Sequence, residues 1–175
     1  MTLPARALKD VGALEVRLQV NIGASRQRVW DALIHDTSRW WPKDFYATSN
    51  PKTIIIEPHP GGRMYEDAGN GAGLLWYTVI AIEPPSSIHF AGHITPPFGG
   101  PATSLLKILL EESSSRSVTL HISDSVFGCI NDRSGESIHD GWRMLFEDGL
   151  KPYVERVADA IWPQLSFGVP VPQAG

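Results

Sequence analysis

A single carboxylate, Asp124, stands in a segment whose pattern otherwise places apolar residues on one face. From Val118 to Phe127 apolar and polar residues alternate, and Asp124 shares the face of Ile122 and Val126. Because successive side chains of a strand point to opposite faces, this carboxylate is predicted to point into the protein. There it could orient a ligand hydroxyl or act as an acid or base with a raised pKa. In the alternative, which we favour, the strand bulges or frays at this point and Asp124 meets solvent or pairs with Arg133.

The six histidines show no spacing typical of a metal site, where two or three ligands converge from a helix or turn. His89 and His93 alternate with apolar neighbours and are predicted to face outward. One loose polar cluster surrounds the Gly61-Gly62 turn and is interpreted as a solvated hairpin tip. Its members are Glu57, His59, Glu66 and Asp67. No metal and no cofactor is therefore predicted.

Two arginines stand where a cation could hold an anionic ligand. Arg63 follows the double-glycine turn and is expected to help orient a ligand. Arg143 follows Trp142 on a predicted helix and is rotated from it by about 100°. That rotation places Arg143 at the rim of a pocket or, in the alternative we favour, in a surface pair with Glu147. The sequence contains no nucleophile elbow and no glycine-rich dinucleotide loop.

Large apolar side chains are numerous enough to wall a pocket. A close-packed interior leaves no void, whereas a pocket needs bulky groups around a space of about 300–1,000 Å³. Trp30 is assigned to the core. The predicted ligand-binding residues are Trp40, Trp41, Met64, Trp76, Phe90, Phe98, Leu106, Asp124, Trp142 and Phe146. For any one aromatic residue plain core packing is the interpretation that we favour, because aromatic side chains fill cores well.

The elements that position these residues begin with a strand from Leu14 to Ile22, in which apolar and polar residues alternate. Ser25 is predicted to cap a helix that carries Val29 on its apolar stripe. A second short helical turn is predicted from Thr37 to Trp41, and Pro42 stops it.

Antiparallel strands fill the middle of the chain, and one long helix closes it. The strands are predicted at Thr53–Glu57, around Met64–Tyr65, and at Gly73–Glu83, Ile88–Ile94, Leu105–Glu111 and Val118–Phe127. The loop from Thr95 to Thr103 is rich in Pro and Gly, so it is predicted to be neither helical nor a central strand, and to form a lid or rim. The closing helix is predicted from residues 134–137 to about Trp162, with a kink at Pro152.

Composition excludes several classes of function. The chain has 175 residues, of which 42% are hydrophobic and 19% charged, with a net charge of −4. Phosphate binding needs a concentrated basic face, so nucleic acid is not predicted as a partner. Arg6 and Lys9 interrupt the first apolar run, so no signal peptide is predicted, and no run approaches the ~20 residues of a membrane span. The single cysteine, Cys129, cannot form a disulfide within the chain, which indicates a cytoplasmic protein. Cys129 itself is interpreted as a small residue at the end of a strand and not as a nucleophile. A homodimer is left open.

The element order predicts an α+β protein with a helix-grip fold. In this fold a curved antiparallel sheet wraps around a long C-terminal helix, and two short helices follow the first strand. We expect a loose leader over residues 1–13, a single domain over residues 14–162 and a Pro/Gly-rich tail over residues 163–175.

Several short segments resemble the SRPBCC, or START-like, superfamily. They are the small-residue turn before Val29-Trp30, the Gly61-Gly62 turn, the hairpin through Pro84-Pro85 and the Gly141-Trp142 pair. Their order between Leu14 and Arg156 is most similar to the branch related to the C-terminal domain of the heat-shock-protein-90 ATPase activator. The loop from Gly92 to Thr103 and the segment from Ser125 to Gly135 depart from the family pattern, both where a cavity mouth is expected.

The resemblance implies a hydrophobic cavity between the sheet and the C-terminal helix. Members of the superfamily bind lipids, sterols, polyketides or plant hormones, and a few catalyse cyclisation or hydrolysis. We therefore expect the chain to bind a small hydrophobic or amphipathic molecule. One alternative is a cyclase- or hydrolase-like enzyme that uses Asp124 as acid or base. The other is a protein-interaction module similar to the chaperone activator.

Overall fold

Seven antiparallel strands form one sheet in the computed structural model, which describes residues 11–131 and 133–156. The strands are β1 (Val11–Ile22), β2 (Thr53–Ile56), β3 (Arg63–Gly69), β4 (Ala72–Glu83), β5 (Ser87–Ile94), β6 (Ala102–Ser114) and β7 (Ser117–Cys129). Their spatial order is β1-β7-β6-β5-β4-β3-β2. The helices are α1 (Arg26–His35), α2 (Thr37–Trp40) and α3 (Ser134–Arg143). This arrangement confirms the predicted α+β helix-grip fold.

β1 begins three residues before the predicted domain boundary. Residues 11–13 pair with residues 127–129 of β7, so the sheet extends beyond the alternating run that predicted the strand. Backbone hydrogen bonds alone can prolong a ladder in this way, because they need no apolar pattern. The first ten residues of the predicted leader, the end of the predicted closing helix and the predicted tail lie outside the described residues.

The two helices after β1 are fixed to each other and to the sheet. The Ser25 hydroxyl accepts a hydrogen bond from the backbone N–H of Arg28 at 3.3 Å, which confirms the predicted cap of α1. In α2 the indole N–H of Trp40 donates to the backbone oxygen of Ala32 at 2.8 Å. Trp30 is buried in the core, as predicted.

The loop between β5 and β6 contains more regular structure than predicted. Pro96–Phe98 form a short 3₁₀ helix, and β6 already begins at Ala102. A proline is compatible with the first turn of a helix, because its missing N–H would have no partner there. Gly99 ends the turn with a φ of 92°, which a glycine adopts without strain. The prediction that this loop excludes helical structure was therefore wrong.

The C-terminal helix, residues 134–156, changes pitch in its middle. After α3 comes a π-helical segment, Met144–Leu150, and then α-helical residues 151–156. At the end of the π segment the N–H of Lys151 donates to the oxygen of Phe146, five residues earlier. Pro152, which lacks an N–H and crowds the preceding turn, follows this wide turn directly. Within the described residues no helix is long and apolar enough to cross a membrane.

The centre of the gap between sheet and helix is solidly packed. Phe90, Leu106 and Ile122 of the sheet and Leu145 and Leu150 of the C-terminal helix belong to one core cluster. None of them is more than 2% exposed. The expected open hollow is therefore absent from the centre, and any ligand space must lie toward one end of the sheet.

Candidate ligand-binding site

A cavity of about 450 Å³ lies where the first half of the C-terminal helix approaches the sheet. From the sheet it is lined by residues 74–78 of β4, residues 91–94 of β5, Ser104 of β6 and Asp124 of β7. From the helix it is lined by Ser137, Ile138, Gly141 and Trp142, and from the loops by Phe45, Ala47, Thr95 and Phe98. Its volume falls within the range of about 300–1,000 Å³ that is usual for small-molecule sites.

A β-bulge in β4 brings two adjacent aromatic side chains to the cavity. The pairing with β3 shifts from Met64–Tyr77 to Tyr65–Leu75, so Trp76 is the extra residue. An extra residue interrupts the strict alternation of a strand, so two neighbours can reach the same side. Trp76 and Tyr77 consequently both line the cavity.

Gly92 of β5 allows the ring of Tyr77 to lie against the strand. A Cβ atom at position 92 would stand 2.6 Å from Cδ1 of Tyr77 and 2.6 Å from the backbone oxygen of Trp76. Because Cβ atoms do not approach other atoms this closely, any other residue would displace the ring. Gly92 is therefore part of what shapes the cavity wall.

Asp124 lies within a buried hydrogen-bond network, on the inward face that the alternation indicates, so the favoured interpretation of a bulged or frayed strand was wrong at this residue. Its Oδ1 accepts from the Ser104 hydroxyl at 2.6 Å, and its Oδ2 accepts from the Trp142 indole N–H at 3.0 Å. The Tyr77 hydroxyl lies 2.9 Å from the Ser104 hydroxyl and continues the network. Asp124 is 2% exposed, and the alternative pairing with Arg133 is not what the structure has.

The titration of this network reflects its burial. Burial raises the pKa of Asp124, and the hydrogen bonds from Ser104 and Trp142 oppose the rise. Burial and the nearby charge of Asp124 raise the pKa of Tyr77 as well. The lining includes no Lys and no Arg. The cavity thus presents one acidic group, Asp124, and one exposed histidine, His93, between apolar and aromatic walls.

A second buried carboxylate, Glu66 of β3, fixes one edge of the site. It is fully buried and accepts hydrogen bonds from the backbone N–H groups of Ala47 and Thr48, at 2.8 and 2.9 Å. It also accepts from the indole N–H of Trp76 at 2.9 Å. Glu66 therefore joins the loop after α2 to the cavity wall. The interpretation of its cluster as a solvated hairpin tip was wrong for this residue.

Four of the predicted ligand-binding residues line the cavity. They are Trp76, Phe98, Asp124 and Trp142. The other six lie in the packed core instead of the cavity wall, each at most 5% exposed; they are Trp40, Trp41, Met64, Phe90, Leu106 and Phe146. Sequence alternation identifies the inner face of a strand but gives no information on which inner residues border a gap. Tyr77, Ser104 and Gly141 were not predicted, although Tyr77 next to Trp76 was visible as an aromatic pair.

Arg63 is not placed to orient a ligand in the cavity. Its Nη2 lies 2.6 Å from Oε1 of Glu57, and its guanidinium stands 4.5 Å from the ring centroid of Tyr65. Its side chain is about half exposed and lies outside the lining. The hydrogen bond from Arg63 lowers the pKa of Glu57 to about 2. The arginine therefore stabilises its own hairpin.

Arg143 forms a surface pair with a different partner from the predicted one. Its Nη1 lies 3.2 Å from Oδ2 of Asp148, five residues on, whereas an α-helical spacing predicted Glu147. The π segment explains the difference, because its wider turn brings the fifth residue below the first. Among the described residues no three His, Cys, Asp or Glu side chains converge as metal ligands would.

The sheet order, the C-terminal helix and the cavity beneath it define a helix-grip protein of the SRPBCC, or START-like, class. The family described as Activator of Hsp90 ATPase homolog 1-like protein matches residues 23–155. The chain belongs to this family.

Solved structures share the fold at low sequence identity. An uncharacterized protein from Rhizobium leguminosarum is 19% identical, with a TM-score of 0.60 over 83% of this chain and 98% of that one. Ara h 8.0201 is 14% identical, with a TM-score of 0.61 over 82% and 98%. DynU16, from the dynemicin biosynthetic locus, is 19% identical, with a TM-score of 0.59 over 81% of this chain and 47% of its own. No relative was found among curated proteins.

Proposed function

We propose that this protein binds a small hydrophobic or amphipathic molecule in the cavity beneath the C-terminal helix. The observation that carries the proposal is the cavity itself, with about 450 Å³ of space between aromatic walls and a buried polar network on one side. Burial of apolar ligand surface supplies the affinity, at about 2.5 kcal/mol for each 100 Å² before the cost of association. The polar network supplies the orientation.

The arrangement at Asp124 favours binding over the alternative of acid–base catalysis. Both carboxylate oxygens already accept hydrogen bonds, from Ser104 and Trp142, which hold the group as an acceptor in one position. A protein-interaction role would be favoured by an interior without a cavity. Because a cavity remains at one end of the gap between sheet and helix, that role receives no specific support. We therefore keep ligand binding as the single proposed function.

The test is titration with a neutral apolar fluorophore, N-phenyl-1-naphthylamine, against two matched glycine variants. Gly141 lines the cavity, and a Cβ there would meet the ring of Phe45 at 3.5 Å, so Gly141→Leu fills space beside that ring. Gly135 lies on the same helix with nothing within 4 Å of an added Cβ, and it lies outside this lining. Gly135→Leu is therefore the control for helix propensity and added surface.

We expect saturable 1:1 binding by the wild type, with a blue-shifted emission. Gly141→Leu should weaken binding by roughly tenfold or more, because a filled site loses the apolar burial of the ligand. Gly135→Leu should bind as the wild type does. The proposal fails if the wild type does not bind the fluorophore, or if both variants lose affinity equally.

A further inference from the structure

We infer that the preferred occupant of the cavity carries a protonated amine, which lies against Asp124 while the apolar remainder of the molecule fills the aromatic walls. The inference rests on the proposed function and names the class of ligand for that site. It excludes fatty acids and other carboxylates as preferred ligands.

The charge of the cavity is the first observation. Asp124 is the only acidic residue among the lining residues. They include no Lys and no Arg, and their one histidine, His93, is exposed and lies 3.3 Å from the Thr103 hydroxyl. A buried ionised carboxylate without a cation is costly in free energy, and a ligand that brings a positive charge removes that cost. A ligand carboxylate placed there would instead be repelled.

The hydrogen-bonding capacity of Asp124 is the second observation. Each oxygen of the carboxylate accepts one bond inside the protein, one from Ser104 and one from Trp142. A carboxylate oxygen has two acceptor sites, so each can accept a further bond. An ammonium group has three donors and no acceptor, which matches this free capacity.

The aromatic surroundings of the carboxylate are the third observation. The rings of Tyr77 and Trp142 lie 6.4 Å apart between centroids, and both belong to the hydrogen-bond network of Asp124. Trp76 adds a further ring to the lining. The faces of such rings attract cations, most strongly at desolvated sites. The carboxylate and the rings therefore both favour a positively charged group on the ligand.

Three naphthyl probes that share the ring and a two-carbon side chain but differ in its polar group separate this inference from simple apolar binding. They are 2-(1-naphthyl)ethylamine, 2-(1-naphthyl)ethanol and the carboxylate 1-naphthaleneacetate, titrated calorimetrically at pH 8, above the usual titration range of histidine. The amine should bind roughly tenfold or more tightly than the alcohol, because a hydrogen bond between charged groups is stronger than one to a neutral donor. The acetate should bind most weakly of the three.

The Asp124→Asn variant removes the charge and can keep the network. The amide oxygen can accept from Trp142, while the amide nitrogen donates to the Ser104 hydroxyl, which then donates to Tyr77. The alcohol should bind this variant about as well as the wild type, and the preference for the amine should vanish. Asp140→Asn, an exposed carboxylate of α3 that lies outside the lining, should leave the preference intact.

The outcomes distinguish this inference from the proposed function. If the alcohol binds wild-type protein as tightly as the amine, or the acetate binds best, the inference is wrong and the proposed function stands. If the preference persists in Asp124→Asn, Asp124 is not its source and the inference is also wrong. If none of the three probes and no neutral fluorophore binds, both fail. Should Asp124→Asn not fold, the wild-type series alone decides between amine and alcohol.

Discussion

Asp124 is a buried carboxylate whose two oxygens each accept one hydrogen bond and whose charge no Lys or Arg of the cavity lining compensates. Ser104 and Trp142 donate those hydrogen bonds, while the one histidine of the lining, His93, is exposed. Hydrogen bonds recover only part of the hydration that a charge loses on burial, which is why the pKa of this group rises. In its ionised form Asp124 therefore weakens the fold. A residue with this cost at the wall of a cavity is typical of a binding site, where it serves the ligand instead of the stability of the protein.

The Asp124→Asn substitution should therefore change the pH dependence of stability. The folded protein holds the Asp124 proton more tightly than the unfolded chain, whose ordinary pKa is 3.8. The stabilising contribution of the protonated group is thus complete below that value and is lost as the pH rises through the higher folded pKa. Asparagine does not titrate. The free energy of unfolding of the variant minus that of the wild type should therefore grow as the pH rises above 3.8, until Asp124 of the folded wild type is ionised.

Urea unfolding at several pH values measures this difference directly. Other groups, such as Glu57 with its pKa lowered to about 2, titrate in both proteins and cancel in the comparison. A difference that stays constant, or that shrinks as the pH rises, would show that burial does not raise the pKa of Asp124.

At the level of secondary structure, periodicity predicted the strands well and failed where the backbone departs from it. Alternation located β1 and β7 and the inward face of Asp124, and Ser25 identified the start of α1. The bulge at Trp76 leaves no signature in the sequence, because the extra residue is defined only by its pairing with β3. The π segment likewise leaves no signature in the sequence, because it depends on how the C-terminal helix fits around the core and Pro152.

Glu66 shows why a carboxylate near a turn was misread. Its sequence neighbours are polar and glycine-rich, which is typical of a solvated tip. Its role becomes visible only when the loop after α2 brings two backbone N–H groups and the Trp76 indole to it. Partners of this kind, 10 to 19 residues away along the chain, cannot be deduced from local patterns.

Glu66→Gln should destabilise the protein and loosen this edge of the cavity. The amide nitrogen would face donors that now bond to a carboxylate oxygen, so at least one buried hydrogen bond is lost. A loss of about 1–3 kcal/mol in the free energy of unfolding is expected. Chemical denaturation measures it, and Glu147→Gln on the exposed side of the C-terminal helix is the control, with a change below about 0.5 kcal/mol. Equal stability of the two variants would mean that Glu66 does not anchor the loop.

Over the whole molecule, the gap between sheet and helix divides into a packed centre and an open end. Composition predicted enough bulky residues for a core and a pocket but not their distribution, which depends on the curvature of the sheet and the path of the helix. Phe146 lies on the core side of this division, since its ring stacks on Trp142, packs at a tilt against Trp40 and is only 3% exposed. Phe98 shows it from the cavity side, since it lines the cavity at 54% exposure.

These two phenylalanines should therefore respond in opposite ways to the same substitution. Phe146→Ala removes a fully packed ring and should cost about 3–5 kcal/mol of unfolding free energy, since the core cannot close over the space. Phe98→Ala removes a ring that the core does not need, so stability should change by less than about 1 kcal/mol while apolar ligand contact is lost. Binding of N-phenyl-1-naphthylamine should thus weaken in Phe98→Ala and persist in folded Phe146→Ala.

Urea unfolding and fluorescence titration on the same samples measure the stability and the ligand affinity of each variant. If one variant lost both stability and binding while the other lost neither, the packed centre and the open end would be a single structural unit, and the ligand would have to enter the core itself.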